Sequence, residues 1–432
     1  AGGFGDSGND SVVSCGSFTT DASGDATVTL GWEPQWVLIK NTSASENWKL
    51  VDTMRGFPNN GRGFDDNLLN PNLSAAEATG SRVGYPTANG FFVYEQFGSN
   101  NYIYIAIRRG PMKTPTDATK VFSPVAFTGS GSANQTVDYG LINDTHLYRG
   151  RTAGTFGFIT SSRLLGDGYV ITGSTQQFFL GPSYGVQYSF AKSNTTVTYG
   201  SAVNSEQNQG ALIGYSLRRA PGFFDVVAYT GTGSTSNAVQ HNLGVAPELI
   251  IVKRRSNTSQ WITYSKSISI ENYLTLNSVT NQGSGVGTWP WNDTAPTSTV
   301  FSLGFDGGVD SAFQVNINSS NYIAYLFATC PGVSKVGSYT GTGTTLNIDC
   351  GFTNGARFVL IKRTDSTGDW FVWDTARGIV SGNDSYLLLN STAAEVTNTD
   401  YIDPLSSGFQ ISSTAPAAIN ASGGSYIYLS VA

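Results

Sequence analysis

The chain has 432 residues, and only 12% are charged, about half the share usual in soluble globular proteins. A formal net charge of -6 with no basic stripe argues against nucleic-acid binding, and no apolar run is long enough to span a membrane. The length suggests three or four domains, and the 51 glycines with abundant Ser, Thr, Asn and aromatics favour strands and turns over helices.

A glycine-punctuated strand opens each of four units. It reads Ser17-Phe18-Thr19-Thr20-Asp21-Ala22-Ser23-Gly24 in the first and Val125-Ala126-Phe127-Thr128-Gly129-Ser130-Gly131 in the second. The third has Val226-Val227-Ala228-Tyr229-Thr230-Gly231, and the fourth Gly337-Ser338-Tyr339-Thr340-Gly341. The alternation that follows reads as the return strand of a hairpin. That strand ends at Leu30-Gly31, Tyr139-Gly140, Leu243-Gly244 and Cys350-Gly351, with Pro34 and Pro247 bending the chain after two of them.

A short apolar run then ends in lysine: Trp36-Val37-Leu38-Ile39-Lys40, Leu249-Ile250-Ile251-Val252-Lys253 and Phe358-Val359-Leu360-Ile361-Lys362. It predicts a strand buried on both faces. The second unit keeps a worn form, Gly154-Thr155-Phe156-Gly157-Phe158-Ile159. Trp48, Trp261 and Trp370 follow the three lysines at one spacing and are expected to anchor a core. Ser74-Ala75-Ala76-Glu77 and Thr392-Ala393-Ala394-Glu395 each predict one capped helical turn. Closing strands are expected at Asn101-Tyr102-Ile103-Tyr104-Ile105-Ala106, Ala211-Leu212-Ile213-Gly214-Tyr215-Ser216, Asn321-Tyr322-Ile323-Ala324-Tyr325-Leu326 and Ser425-Tyr426-Ile427-Tyr428-Leu429-Ser430.

The expected fold is therefore all-β: a tandem array of four antiparallel β-sandwich units of jelly-roll or lectin-like type. Their bounds are 1–117, 118–220 (the divergent one), 221–332 and 333–432. Short proline-bearing joints (Arg109-Gly110-Pro111, Ala220-Pro221-Gly222, Cys330-Pro331-Gly332) should hold the neighbours in near-fixed orientation, each unit being self-contained. Cys15, Cys330 and Cys350 make no disulfide framework; free buried thiols are expected, with a Cys330–Cys350 bridge as the alternative. The opening Ala1-Gly2-Gly3-Phe4 shows no secretory signal, and the missing initiator Met suggests processing or further residues ahead of Ala1.

One polar set stands out: Lys40, Asp52, Arg55 and Glu77, matched by Lys362, Asp374, Arg377 and Glu395. Two carboxylates held together could hydrolyse a glycosidic bond. Two distant copies, with Ser265 replacing the Asp in the third unit, suit a structural ion-pair network better. Trp289 and Trp291 lie in a Gly/Pro/Asn-rich loop without counterpart and are candidates for contact with a glycan or a neighbouring subunit. His146 and His241 fall in different units without a third ligand, so no metal is expected there. The turns Asp6-Ser7-Gly8-Asn9-Asp10 and Asp306-Gly307-Gly308-Val309-Asp310 match no EF-hand loop. No P-loop, dinucleotide fingerprint or nucleophile elbow occurs, so no cofactor and no catalytic residue are assigned.

The phrase Arg219-Ala220-Pro221-Gly222-Phe223-Phe224-Asp225-Val226-Val227, continuing through Tyr229-Thr230-Gly231 to His241-Asn242-Leu243-Gly244-Val245-Ala246-Pro247-Glu248, resembles a junction in tandem-repeat proteins of tailed, often marine, bacteriophages. Tyr102-Ile103-Tyr104-Ile105-Ala106-Ile107-Arg108-Arg109 is similar to another joint of those proteins. The likeness is strongest in units three and four and weakest in unit two. It implies a non-enzymatic virion structural protein, of fibre, adhesin or decoration type, at the particle surface after assembly in the host cytoplasm. The implied partners are other virion subunits and further copies of the chain, a trimer suiting a fibre. A glycan-binding adhesin is the alternative reading, and a polysaccharide depolymerase a third.

Overall fold

The computed structural model describes residues 4–59, 66–94, 99–131, 135–152, 157–166, 168–180, 195–199 and 209–432. The chain folds as an all-β series of antiparallel sandwiches. Four large sheets share one strand order: opening strand, closing strand, lysine-position strand, tryptophan-position strand. In the first unit these are Val13–Thr19, Asn101–Arg108, Pro34–Asn41 and Lys49–Asp52. In the second they are Phe122–Ser130, Gln209–Leu217, Thr145–Gly150 and Ile159–Ser162. The third has Phe224–Thr230, Asn321–Phe327, Leu249–Arg254 and Trp261–Ser265. The fourth has Ser334–Thr340, Ser425–Val431, Phe358–Arg363 and Trp370–Asp374.

A smaller sheet packs on one face of each large one. In the third unit Val239, Phe301 and Leu303 of the small sheet meet Ile250, Val252, Tyr322, Ala324 and Leu326 of the large one. In the first, Val28, Phe91 and Val93 meet Val37, Ile39, Tyr102 and Ala106. Alternation along each strand sends these residues to one side and their neighbours to the other.

The neighbours decide the tertiary arrangement. On the closing strand of unit three, Ile323, Tyr325 and Phe327 point away from the unit's own core yet are buried. They join Phe122, Ile213 and Tyr215 of unit two and Leu360, Ile427 and Leu429 of unit four in one continuous interior. Units two, three and four are thus not self-contained, contrary to the sequence expectation. A strand apolar on both faces needs a partner on each, and burying the second face is worth roughly 25 cal/mol per Å² of apolar surface.

Two further expectations are corrected. Residues 74–77 and 392–395 form no helical turn. Their glutamates bind arginine, and the Glu395 N–H donates to the Arg151 carbonyl instead of closing a turn. The lysine-position strand of unit two is Thr145–Gly150, since Thr145 pairs with Leu217 as Leu249 pairs with Phe327. Of the run read as its worn form, 154–156 lie outside the described residues, and Phe158 occupies the tryptophan position. The three cysteines are free as expected, Cys330 and Cys350 buried, although Cys15 is exposed.

Candidate functional site: ion-pair clusters and the seams between units

Asp52 ends the tryptophan-position strand of unit one, and the chain turns sharply after it. Its Oδ1 accepts the Met54 and Arg55 N–H groups at 3.0 and 2.9 Å. Arg55 is held in that turn: Nε donates to Asp52 Oδ2 at 2.6 Å, Nη1 to Glu77 Oε2 at 2.7 Å and Nη2 to the Leu50 carbonyl at 3.3 Å. In unit four Arg377 repeats the pattern on Asp374 Oδ2 (2.6 Å), Glu395 Oε1 (3.2 Å) and the Val372 carbonyl (2.9 Å).

The fourth-unit cluster is also a seam. Tyr215 of unit two donates its hydroxyl to Asp374 Oδ2 at 2.7 Å, and Arg151 of unit two pairs with Glu395 at 2.8 Å. Burial disfavours the Arg377 charge, but Tyr215, Asp374 and Glu395 outweigh it and raise its pKa above the ordinary value. Burial likewise raises the Tyr215 phenol well above its usual range. Asp374 and Glu395 are both engaged by guanidinium, which suits neither to act as a free general acid or base.

Lys40 and Lys362 do not join these clusters, which corrects the grouping made from sequence. Lys40 Nζ donates to the Glu46 carbonyl at 2.5 Å. Lys362 Nζ donates to the Gly368 carbonyl of its own loop and to Val279 O of unit three at 3.1 Å. Lys253 does the same with Ser259 O at 2.6 Å and Thr175 O of unit two at 3.0 Å. Burial lowers the Lys253 pKa to about 7 and the Lys362 pKa to about 8.

Arg149 holds the equivalent place in unit two. Its guanidinium donates to Leu388 O at 3.0 Å, Ser391 O at 2.6 Å and the Ala393 carbonyl, all in unit four. A backbone bond accompanies each cation. Phe178 N–H donates to Arg255 O (3.1 Å), Gln282 N–H to Thr364 O (2.9 Å) and Glu395 N–H to Arg151 O (2.8 Å). The indole of Trp261 donates to Ile171 O and that of Trp370 to Thr275 O, both at 3.1 Å. A loop of unit two therefore docks on unit three, one of unit three on unit four, and one of unit four on unit two. The ring closes after three steps. Sequence reading missed Arg149 because unit two has Arg for Lys, Phe158 for Trp, and one more residue between them.

Unit one joins the others through a separate cluster. Arg219 makes a bidentate pair with Glu33 at 2.6 Å and reaches Asp225 Oδ1 at 2.7 Å, while Arg109 Nη2 lies 3.4 Å from Asp225. Burial opposes the Arg219 charge, yet Asp225 and Glu33 raise its pKa. Beside it a cleft of about 410 Å³ is lined by Gln35, Thr53, Met54, Arg109, Ile142, Asp144 and Arg218. Its carboxylate is engaged: Asp144 Oδ2 accepts the Arg219 N–H at 2.8 Å.

Trp289 and Trp291, expected as outward contacts, are each only 2% exposed. They belong to the core of unit three, where Tyr273 packs edge-on to Trp289 and Tyr264 to Trp291. Trp291 Nε1 donates to Asn272 O at 3.0 Å. The loop is long enough to fold back over the sheet, so its polar composition misled the reading. His146 is buried between Ser216 Oγ (3.0 Å) and Tyr199 OH (2.7 Å), and burial lowers its pKa to about 3. His241 Nε2 lies 3.1 Å from Thr297 O, and burial lowers its pKa also. Asp6 accepts Thr114, Asp306 accepts the Gly308 N–H, and Asp310 accepts the Ala312 N–H.

The fold and these clusters define a multi-unit β-sandwich protein whose paired charges fasten one unit to another. The chain belongs to the DUF7483 family, a domain of unknown function, which it matches over residues 11–111 and 222–432. Residues 112–221, holding the whole of the divergent second unit, lie outside the matched segments. No curated protein matches the chain.

Proposed function

We propose that this chain is a non-enzymatic structural protein of a bacteriophage particle, a rigid array displayed at the virion surface as part of a fibre or as a decoration protein. The reading joins the resemblance of its junctions to phage tandem-repeat proteins with one structural observation. The repeated Asp–Arg–Glu sets are consumed in fastening the chain to itself, Asp374, Arg377 and Glu395 of unit four being bonded to Tyr215 and Arg151 of unit two. Such a network fixes the register of one unit on the next. Units sharing a core and closing a ring resist bending at their joints, which suits a particle component that must hold its shape. Burial of Trp289 and Trp291 removes the two residues on which a glycan-binding adhesin rested.

The test is to purify particles of the source virus and label them with antibody raised against the chain. Decoration of intact particles at a fixed location is the expected result. Absence of the chain from purified particles would sink the proposal, as would turnover of a host polysaccharide lost on changing Glu77 or Glu395 to Gln without loss of fold.

A further inference from the structure

Unit one carries both halves of the seam that joins units two, three and four, and among the described residues uses neither. Its closing strand aligns with theirs, so Ile103, Ile105 and Ile107 stand where unit three has Ile323, Tyr325 and Phe327. The three isoleucines are 43%, 38% and 37% exposed; their counterparts are 0%, 5% and 9% exposed. Val13 of the opening strand is exposed on the same sheet, and Leu38, Trp36 and Trp48 are half-buried. An apolar sheet face of this extent on a low-charge protein marks an interaction site.

The polar half is present as well. Lys40 holds its own loop carbonyl as Lys253 and Lys362 do, but among the described residues its partner comes from unit one alone. Thr42 stands at the place of Arg255 and Thr364, whose carbonyls accept a backbone bond from the next unit's loop. Glu77 stands at the place of Gln282 and Glu395, whose N–H groups supply that bond. Leu73, in the loop that would dock, is 47% exposed. A unit with a receptor at one edge and a matching loop at the other is a heterologous interface, and the copies within this chain show that its rotation closes at three.

We propose that the protein is a homotrimer in which the first units of three chains build, between molecules, the three-sheet core that units two, three and four build within one. The loop around Leu73 of each chain docks on Lys40, Thr42 and Trp48 of the next, and the isoleucines of the three closing strands meet at the axis. This does not rest on the virion reading: a trimer in solution leaves that reading open, and a non-viral location leaves the trimer open.

Light scattering on the purified full chain should give three times the 45.8 kDa chain mass. The double variant Ile103→Glu, Ile105→Glu should give a monomer with an unchanged circular dichroism spectrum, because among the described residues these side chains join none of the hydrophobic cores. Cysteines placed at Thr42 and Glu77 should yield, on oxidation, a band of three chain masses in denaturing gels. A wild-type monomer or dimer at micromolar concentration would overturn the proposal. So would a double variant that stays trimeric, or crosslinking that stops at two chains.

Discussion

The guanidinium of Arg149 lies 2.6 Å from the carbonyl oxygen of Ser391, bridging 242 residues of sequence. This bond and its two companions return the chain of docked loops to its start, making units two, three and four a closed ring. Every unit in a closed ring is held at two seams, so loosening one should be felt by all three.

Arg149→Ala should therefore destabilise the protein by about 3 kcal/mol, since it strands the carbonyls of Leu388, Ser391 and Ala393 without donors. Arg149→Lys should recover part of the loss, because lysine serves the same place in units three and four. Urea unfolding of the two variants against the parent measures both. Equal stability of Arg149→Ala and parent would refute a closed ring.

The two Asp–Arg–Glu clusters should respond differently to the same change. Arg377 and Asp374 are fully buried, so Arg377→Ala leaves uncompensated carboxylates and should cost about 3–5 kcal/mol. Arg55 is 23% exposed, and water can solvate what Arg55→Ala leaves behind, at a cost of about 1 kcal/mol. Thermal unfolding should show the larger drop for the fourth unit; the reverse order would contradict the burial argument.

Trp289→Ala and Trp291→Ala should each destabilise the protein by about 3–5 kcal/mol, the loss expected on removing a large buried aromatic. Differential scanning calorimetry would register it. A folded variant of unchanged stability that had lost binding to a carbohydrate would return these residues to the surface role that their loop suggested.

Acid should weaken the fold before the carboxylates titrate. His146 has its folded pKa lowered to about 3, against 6.5 for the unfolded chain. Below about pH 6.5 the unfolded chain takes up a proton that the folded chain refuses. The histidine's contribution is thus complete above that pH and declines as pH falls toward 3, by at most about 1.4 kcal/mol per pH unit. His241, lowered by burial too, adds to the slope. Urea midpoints between pH 7 and 5 should fall with pH, and His146→Gln should flatten the trend. An unchanged slope in that variant would mean that the imidazole is not the group responsible.

Much of the architecture was legible in one dimension. The glycine turns, the run ending in Lys40, Lys253 and Lys362, and the closing strands marked the large sheets of units one, three and four and the opening and closing strands of unit two, because a strand's period of two is written in adjacent residues. The pairing of Arg55 with Asp52 lay close at hand, three residues apart on a tight turn. The destination of the lysines was hidden, since Val279 and Thr175 contribute carbonyls, which every residue has and no sequence motif records. Trp289 and Trp291 were misread for a related reason: polar neighbours describe a loop's composition, and its path over the sheet depends on what lies beneath.

The sequence by itself determined that this is an all-β chain of four alike units, because alternation, turn residues and repetition are local properties. Only the tertiary structure decided that three of those units share an interior while the first leaves the same face bare. Ile103 and Ile323 are the same residue at the same register, each following an Asn-Tyr pair. Their fates differ because burial belongs to what packs against a face, and in unit three the sheets of two neighbours supply the cover.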